Sequence, residues 1–305
     1  MKKDLVSIED LSTQEIEGIF DLTDQLKKDR AKYSKALSGK TLALVFQKPS
    51  NRTRVSFDVG MYQLGGSSIY LSPGEINLGV RETIEDVAKT LSRYVDGLVL
   101  RTFEHKNVVE MAKYSTVPVI NGLTDFSHPC QALADVYTIR EKLKKLPGVT
   151  LAYVGDGNNV CNSLLIAGAK CGLNIKVAVP KGYEPDQSVF RAARDIAAKQ
   201  KKTVSLTNEA KTAVEDAEVV YTDVWTSMGQ EKESEERKNI FRDFQINKGL
   251  LANAGKNVLV MHCLPAHRGE EITDEVMESE NSVIFDQAEN RMHVQKAILI
   301  KLLKG

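Results

Sequence analysis

A chain of 305 residues exceeds what one compact core normally needs, so its length favours two domains or one large α/β unit, with two as the working count. Its 41 basic residues balance 41 acidic ones without a long basic block, which sets aside nucleic acid and anionic membranes as main partners in favour of a small, locally recognised ligand. The start is acidic and unlike a secretory or transit peptide, no run approaches transmembrane length, and four cysteines without a C-x-x-C pair are too sparse for a disulfide framework, so a reducing cytoplasm is expected.

Ser12 with Glu15 carries a capping-box signature, and Ile16, Ile19, Phe20 and Leu26 follow at helical spacing, predicting an N-terminal helix. Short β-rich runs then alternate with helical patterns. In the first half they are "TLALVF", "SSIYL", "GLVLR" and "VPVI"; in the second, "TLAYVG", "IKVAV", "TVSL", "EVVYTDV", "NVLVMH" and "SVIFD". The alternation predicts an α/β protein of two domains, each a parallel sheet flanked by helices. Between the halves, "HPCQALADVYTIREKLKKLPGVT" reads as a helix stopped by "KKLPG", which places the domains at 1–146 and 147–289. "NRMHVQKAILIKLL" predicts a final helix within 290–305, taken as packing back on the first domain although the pattern itself does not fix which half it covers. There is no internal repeat.

"KPSNRTR" sits between a predicted strand and a predicted helix, an order that aims free backbone N–H groups and the positive end of a helix dipole at an anion. Ser50 and Thr53 add hydroxyl donors, and Arg52 and Arg54 add guanidinium forks suited to phosphate. An isolated R-x-R would be read as a solvated helix start. Here it is followed in order by "HPCQ" at 128–131, "DVWTSMG" at 223–229 and "HCLP" at 262–265. Together these segments resemble the ornithine carbamoyltransferases, from about Leu11 to the last helix. Aspartate carbamoyltransferases share the R-T-R and H-P-x-Q segments, but "DVWTSMG" with "HCLP" points to the ornithine branch. One departure is Asn51, where the family commonly reads S-T-R-T-R.

The resemblance implies transfer of a carbamoyl group from carbamoyl phosphate to the δ-amino group of L-ornithine, giving L-citrulline and phosphate in arginine biosynthesis or the arginine deiminase pathway, with no cofactor and no metal. Carbamoyl phosphate would be held by Ser50, Asn51, Arg52, Thr53, Asn77, Arg101, His128, Gln131, Cys263, Leu264 and Arg291. Asn159, Asp223, Ser227 and Met228 would hold ornithine, and Arg101, His128, Asp223 and Cys263 would act in catalysis. The resemblance also implies a homotrimer or multiple of trimers, with Asn77 in "GEINLGVRET" reaching a neighbour's site, and a "GQEKESEERKNIF" segment (229–241) that swings as a lid. On its own that segment reads as an exposed helix face or loop with pairs such as Glu233 to Arg237.

Other readings compete for the same residues. "GDGNN" at 155–159 is similar to a dinucleotide-binding turn but lacks the third glycine of G-x-G-x-x-G. His128, Cys130, His262 and Cys263 could supply a Cys₂His₂ zinc site, but neighbouring residues on a strand face opposite ways, which disfavours His262 and Cys263 as ligands of one ion. Cys161 and Cys171 read as small core residues of an apolar helix. Putrescine or an N-acylornithine is the nearer alternative substrate, and a non-catalytic ligand-binding relative the alternative from another class.

Overall fold

A computed structural model describes residues 3–227, 229 and 231–304 and divides the chain into two compact units. Unit 1 comprises Met1–Ala134 with Asn290–Gly305, and unit 2 comprises Asp135–Glu289. The first division falls inside the continuous helix Pro129–Leu143 rather than near Leu146, because the "KKLPG" stop ends that helix without ending a unit. The second falls inside the last helix, Ile284–Leu303.

Unit 1 holds strands β1 (Thr41–Phe46), β2 (Ser67–Leu71), β3 (Gly97–Arg101) and β4 (Val119–Leu123), all parallel, in the order β2-β1-β3-β4. β3 is buried at every residue, as expected for a central strand with helices on both faces, whereas the edge strand β2 is partly exposed along its length. The N-terminal helix, Thr13–Lys28, has the predicted capping box at Ser12 and Glu15 and buries Ile16, Ile19, Phe20 and Leu26. Unit 2 holds β5 (Thr150–Val154), β6 (Asn174–Ala178), β7 (Val204–Thr207), β8 (Val219–Thr222) and β9 (Leu259–His262), also parallel, in the order β7-β6-β5-β8-β9.

The run "SVIFD" is not a strand. Ser282 makes an isolated bridge to Val260, and Ile284 already lies in the last helix. Only Val283 and Ile284 of the run are buried while Phe285 is exposed, and an apolar run this short has no period to separate strand from helix start. Cys161 is buried in helix Asn159–Lys170, but Cys171 is the half-buried cap beyond its end rather than a core residue.

Each sheet reverses its direction of growth once, between β1 and β3 and between β5 and β8. At such a reversal the connections leave on opposite faces, opening a crevice at the carboxyl ends of the two central strands. In unit 1 the loops entering that crevice begin after Phe46 and Arg101; in unit 2 they begin after Val154 and Thr222. The turn after β5 is seated by Gly157, whose N–H donates to the Tyr183 carbonyl at 2.9 Å. A Cβ at Gly157 would stand 2.3 Å from the backbone nitrogen of Pro185. Gly157→Ala should therefore destabilise the chain by about 1–3 kcal/mol, the usual result of overpacking against backbone. An unchanged urea midpoint would contradict this close approach.

Candidate active site

Ser50 starts the unit 1 cluster as the N-cap of helix Asn51–Gln63, where its Oγ accepts from Thr53 N–H at 3.3 Å and donates to Thr53 Oγ1 at 3.1 Å. Thr53 Oγ1 also accepts from Arg291 Nη2 at 3.0 Å, while Arg291 Nη1 donates to Gln131 Oε1. The last helix thereby clasps the start of helix Asn51–Gln63 and the "HPCQ" helix start within the same unit. Arg101 ends β3 beside Phe46 of β1 and is 8% exposed. Its Nε has no hydrogen-bond partner among the described residues.

Burial, then the like charges of Arg291 and Arg52, pull the Arg101 guanidinium down to about 10, against the attraction of Asp125. Burial and the fields of Arg291 and Arg101 likewise hold His128 well below its ordinary value, so its imidazole is neutral at pH 7. Two buried guanidinium groups, a half-buried third, a hydroxyl and a neutral imidazole make a cluster whose charge and donors would suit a compact anion. Cys130 of "HPCQ" is a buried thiol, pushed up to about 12, whose Sγ points at the Asn121 carbonyl.

Asn51 is exposed at the first position of its helix. Arg54 is exposed with its guanidinium over the Tyr70 ring at 3.9 Å. Asn77 is exposed and caps helix Pro73–Ile76 in the left-handed conformation, φ 38°. Its loop is tethered by Gln47 Nε2, which donates to the Leu78 carbonyl at 2.8 Å. Sequence reasoning missed Lys48, which is buried, lies 4.4 Å from the Phe103 ring and pairs with Asp125. Its place inside "FQKPSNRTR" was the available signal.

In unit 2, Asp223 follows β8 and is 6% exposed. Its Oδ2 accepts from Asn158 Nδ2 at 2.7 Å, and its Oδ1 accepts from Val224 N–H at 2.8 Å and Cys263 Sγ at 3.0 Å. Burial and the Asp223 charge push the Cys263 thiol well above its ordinary value, so it is a neutral donor rather than a thiolate nucleophile. Asn158, which sequence reasoning passed over for Asn159, caps helix Asn159–Lys170 with one amide atom and holds Asp223 with the other. Asn159 and Ser227 are half-buried nearby in sequence, while Met228 lies outside the described residues.

Donor atoms of Asp223, His262 and Cys263 lie within 4.8 Å of one another, a spacing that could hold a metal ion. However, His262 Nδ1 accepts from Leu264 N–H at 2.9 Å and its Nε2 faces Glu271 Oε1 at 3.0 Å, so both ring nitrogens are engaged. Among the described residues no helix is long and apolar enough to cross a membrane.

The family profile described as "Aspartate/ornithine carbamoyltransferase, carbamoyl-P binding domain" matches residues 3–141, and the one described as "Aspartate/ornithine carbamoyltransferase, Asp/Orn binding domain" matches residues 147–302. The chain belongs to the aspartate/ornithine carbamoyltransferase family. It is 53% identical over 305 residues to the ornithine carbamoyltransferase of Thermococcus kodakarensis, covering 99% of this chain and 97% of the relative. Among solved structures it resembles the Pyrococcus furiosus ornithine carbamoyltransferase at 53% identity with a TM-score of 0.96, covering 99% of this chain and 97% of that one. It also resembles the Thermus thermophilus ornithine carbamoyltransferase at 43% identity with a TM-score of 0.90, covering 99% of each. In this carbamoyltransferase, "GDGNN" lies in the stretch matched by the Asp/Orn binding profile, and the acid within it is committed to an arginine.

That arginine is Arg237, on helix Ser234–Phe241 of the charged segment. Its Nη1 donates to Asp156 Oδ2 at 3.1 Å and to the Trp225 carbonyl at 2.7 Å, while its Nε donates to Glu233 at 3.1 Å. The predicted Glu233–Arg237 pair is present, but the face is not wholly solvated: Arg237 and Phe241 are buried, with Arg237 4.9 Å from the Tyr183 ring. Burial raises the Asp156 carboxyl to about 6, with Arg237 opposing and Asp223 and Glu233 reinforcing the shift.

An acid whose folded pKa is raised binds its proton more tightly when folded. This carboxyl therefore favours the folded state below pH 4, and that contribution is lost as pH climbs through about 6. Arg237→Met removes the opposing cation and should move the Asp156 titration above its wild-type midpoint, followed by carboxyl NMR. It should also destabilise the protein by about 3–5 kcal/mol, and adding Asp156→Asn should recover much of that loss. An unmoved titration would dissolve the coupling.

Proposed function

We propose that this chain transfers the carbamoyl group of carbamoyl phosphate to the δ-amino group of L-ornithine, giving L-citrulline and phosphate. The observation that carries the reading is the convergence of Arg52, Arg101 and Arg291 with Thr53 and a neutral His128, a buried receptor suited to a phosphorylated carbonyl. Close similarity to ornithine carbamoyltransferases over nearly the whole chain supports ornithine as the acceptor.

Ser50, Asn51, Arg52 and Thr53 would grip the phosphate, with Arg291 and Gln131 closing the pocket. Attack of the amine on the carbonyl builds negative charge on its oxygen, which Thr53, Arg101 and His128 stabilise as fixed donors. The amine arrives as an ammonium with an ordinary pKa of ~10.4 and must lose a proton. Asp223 and Cys263 position it, Cys263 and Leu264 lie against the carbamoyl group, and the departing phosphate accepts the proton. Asn159, Ser227 and Met228 would recognise the amino-acid end.

A cytoplasmic homotrimer, or a multiple of it, fits the apolar face left open by Val55, Val59 and Tyr62 on helix Asn51–Gln63 and by Ile69 on the edge strand β2. In that assembly Asn77 would complete a neighbour's site.

The test is citrulline formation from carbamoyl phosphate, with ornithine run beside aspartate, putrescine and acetylornithine; activity only with another amine would reassign the acceptor. Arg101→Ala should lower turnover by ~100-fold or more in folded protein, the usual effect of losing a transition-state donor. Asp223→Asn should weaken ornithine binding to the carbamoyl phosphate complex while carbamoyl phosphate still binds; equal affinity for ornithine would exclude Asp223 from its site. Asn77→Ala and Arg101→Ala proteins, each impaired, should regain activity when their subunits are dissociated and reassembled together. Reassembled mixtures no better than the parent average would exclude a shared site.

A further inference from the structure

β9 ends at His262, and the chain then turns through Cys263 and Leu264, where Leu264 adopts φ 59°. A left-handed conformation is unfavourable for a branched side chain and persists only where its surroundings impose it. The surroundings here are a buried polar couple. Leu264 N–H donates to His262 Nδ1 at 2.9 Å. That bond occupies the Nδ1 lone pair, so the neutral ring carries its proton on Nε2 and donates it to Glu271 Oε1 at 3.0 Å. The same oxygen accepts from His267 N–H at 2.6 Å, which fixes the carboxylate to the chain beyond the turn. On its other side, His262 N–H donates to Gln287 Oε1 at 2.9 Å, and Gln287 Nε2 donates to Asp135 Oδ1 at 2.7 Å. His262, Glu271, Gln287 and Asp135 are all fully buried.

We propose that His262, held in one tautomer by Glu271, is a positioning residue that sets the Cys263–Leu264 turn for carbamoyl transfer. This rests on the reading in which Cys263 and Leu264 lie against the carbamoyl group. The imidazole supplies what the turn needs in one rigid ring: an acceptor for Leu264 N–H and, opposite, a donor to a fixed carboxylate. With the turn set, Cys263 Sγ reaches Asp223 Oδ1 at 3.0 Å. If the tautomer reversed, Nδ1 would carry a hydrogen toward Leu264 N–H, and two donors would oppose each other at the bend.

Two variants separate this role from simple core packing. His262→Asn keeps a side-chain oxygen near the Nδ1 position, where it can accept from Leu264 N–H. His262→Gln reaches toward Glu271 but offers no acceptor to Leu264. Glutamine should lower kcat by ~10- to 100-fold with carbamoyl phosphate KM changed by less than about threefold, and asparagine should recover at least ~10-fold of that loss. Equal losses of kcat in both variants would overturn the assignment.

Glu271→Gln should preserve turnover, since its single oxygen must still face the two donors from His262 and His267. Glu271→Leu should behave like His262→Gln. A fully active Glu271→Leu protein would also overturn the proposal. Independently of any variant or substrate, ¹⁵N chemical shifts of the wild-type His262 ring should report the neutral Nε2–H tautomer, and the Nδ1–H form would refute the proposal. If the wild-type protein makes no citrulline while that tautomer is found, it is the functional reading that falls, not the geometry of the turn.

Discussion

Like charges buried together are the constraint around which unit 1 is arranged. Arg101 and Arg291 are each nearly inaccessible to solvent, and Arg52 adds a third positive charge to their field. Desolvating even one such ion is unfavourable by several kcal/mol, and the repulsion among three adds to that penalty. The fold tolerates the arrangement because each group is anchored from a different element: Arg101 by a fully buried central strand, Arg52 by a capped helix start, and Arg291 by hydrogen bonds to Thr53 and Gln131. A bound anion would relieve the repulsion directly. His128, kept neutral by burial and the same field, can donate a hydrogen bond without adding a fourth charge.

Unit 2 solves the opposite electrostatic problem with the same topology. At its own strand-order reversal it buries carboxylates, Asp156 and Asp223, on adjacent loops. Asp156 is matched to Arg237, whereas Asp223 receives, among the described residues, neutral donors from Asn158, Val224 and Cys263. Neutral donors orient a carboxylate while leaving its charge uncompensated, which suits attraction of an ammonium group. Equivalent places in two similar sheets therefore present opposite signs, a cluster of cations in one and a carboxylate held by neutral donors in the other.

Much of this was legible in the sequence because parallel strands buried on both faces leave unmistakable apolar runs, and capping residues mark the helix that follows. Ser12 with Glu15 is a local signal, and it became local structure. What escaped was non-local. "SVIFD" has strand-like composition but meets its neighbour at one bridge before turning helical. Arg237 looked like one more exposed charge until folding placed it against Asp156, 81 positions away in sequence. Asn158 could not be told from Asn159 by type, and only the cap geometry shows which of the two holds Asp223. The roles of Lys48 and Glu271 likewise depend on partners that a linear reading does not bring together.

Unit 1 is discontinuous in the chain, with its final helical turns drawn from residues 290–305. Arg291 reaches Thr53 and Gln131, and Lys296 Nζ donates to Gln63 Oε1 at 2.9 Å, so contacts inside unit 1 come from residues that follow the whole of unit 2 in the chain. On the ribosome, unit 2 is therefore synthesised in full before unit 1 possesses these parts. The nascent chain must carry an unfinished N-terminal body while its second unit is made, with Thr53 and Gln131 waiting for the arginine that joins them.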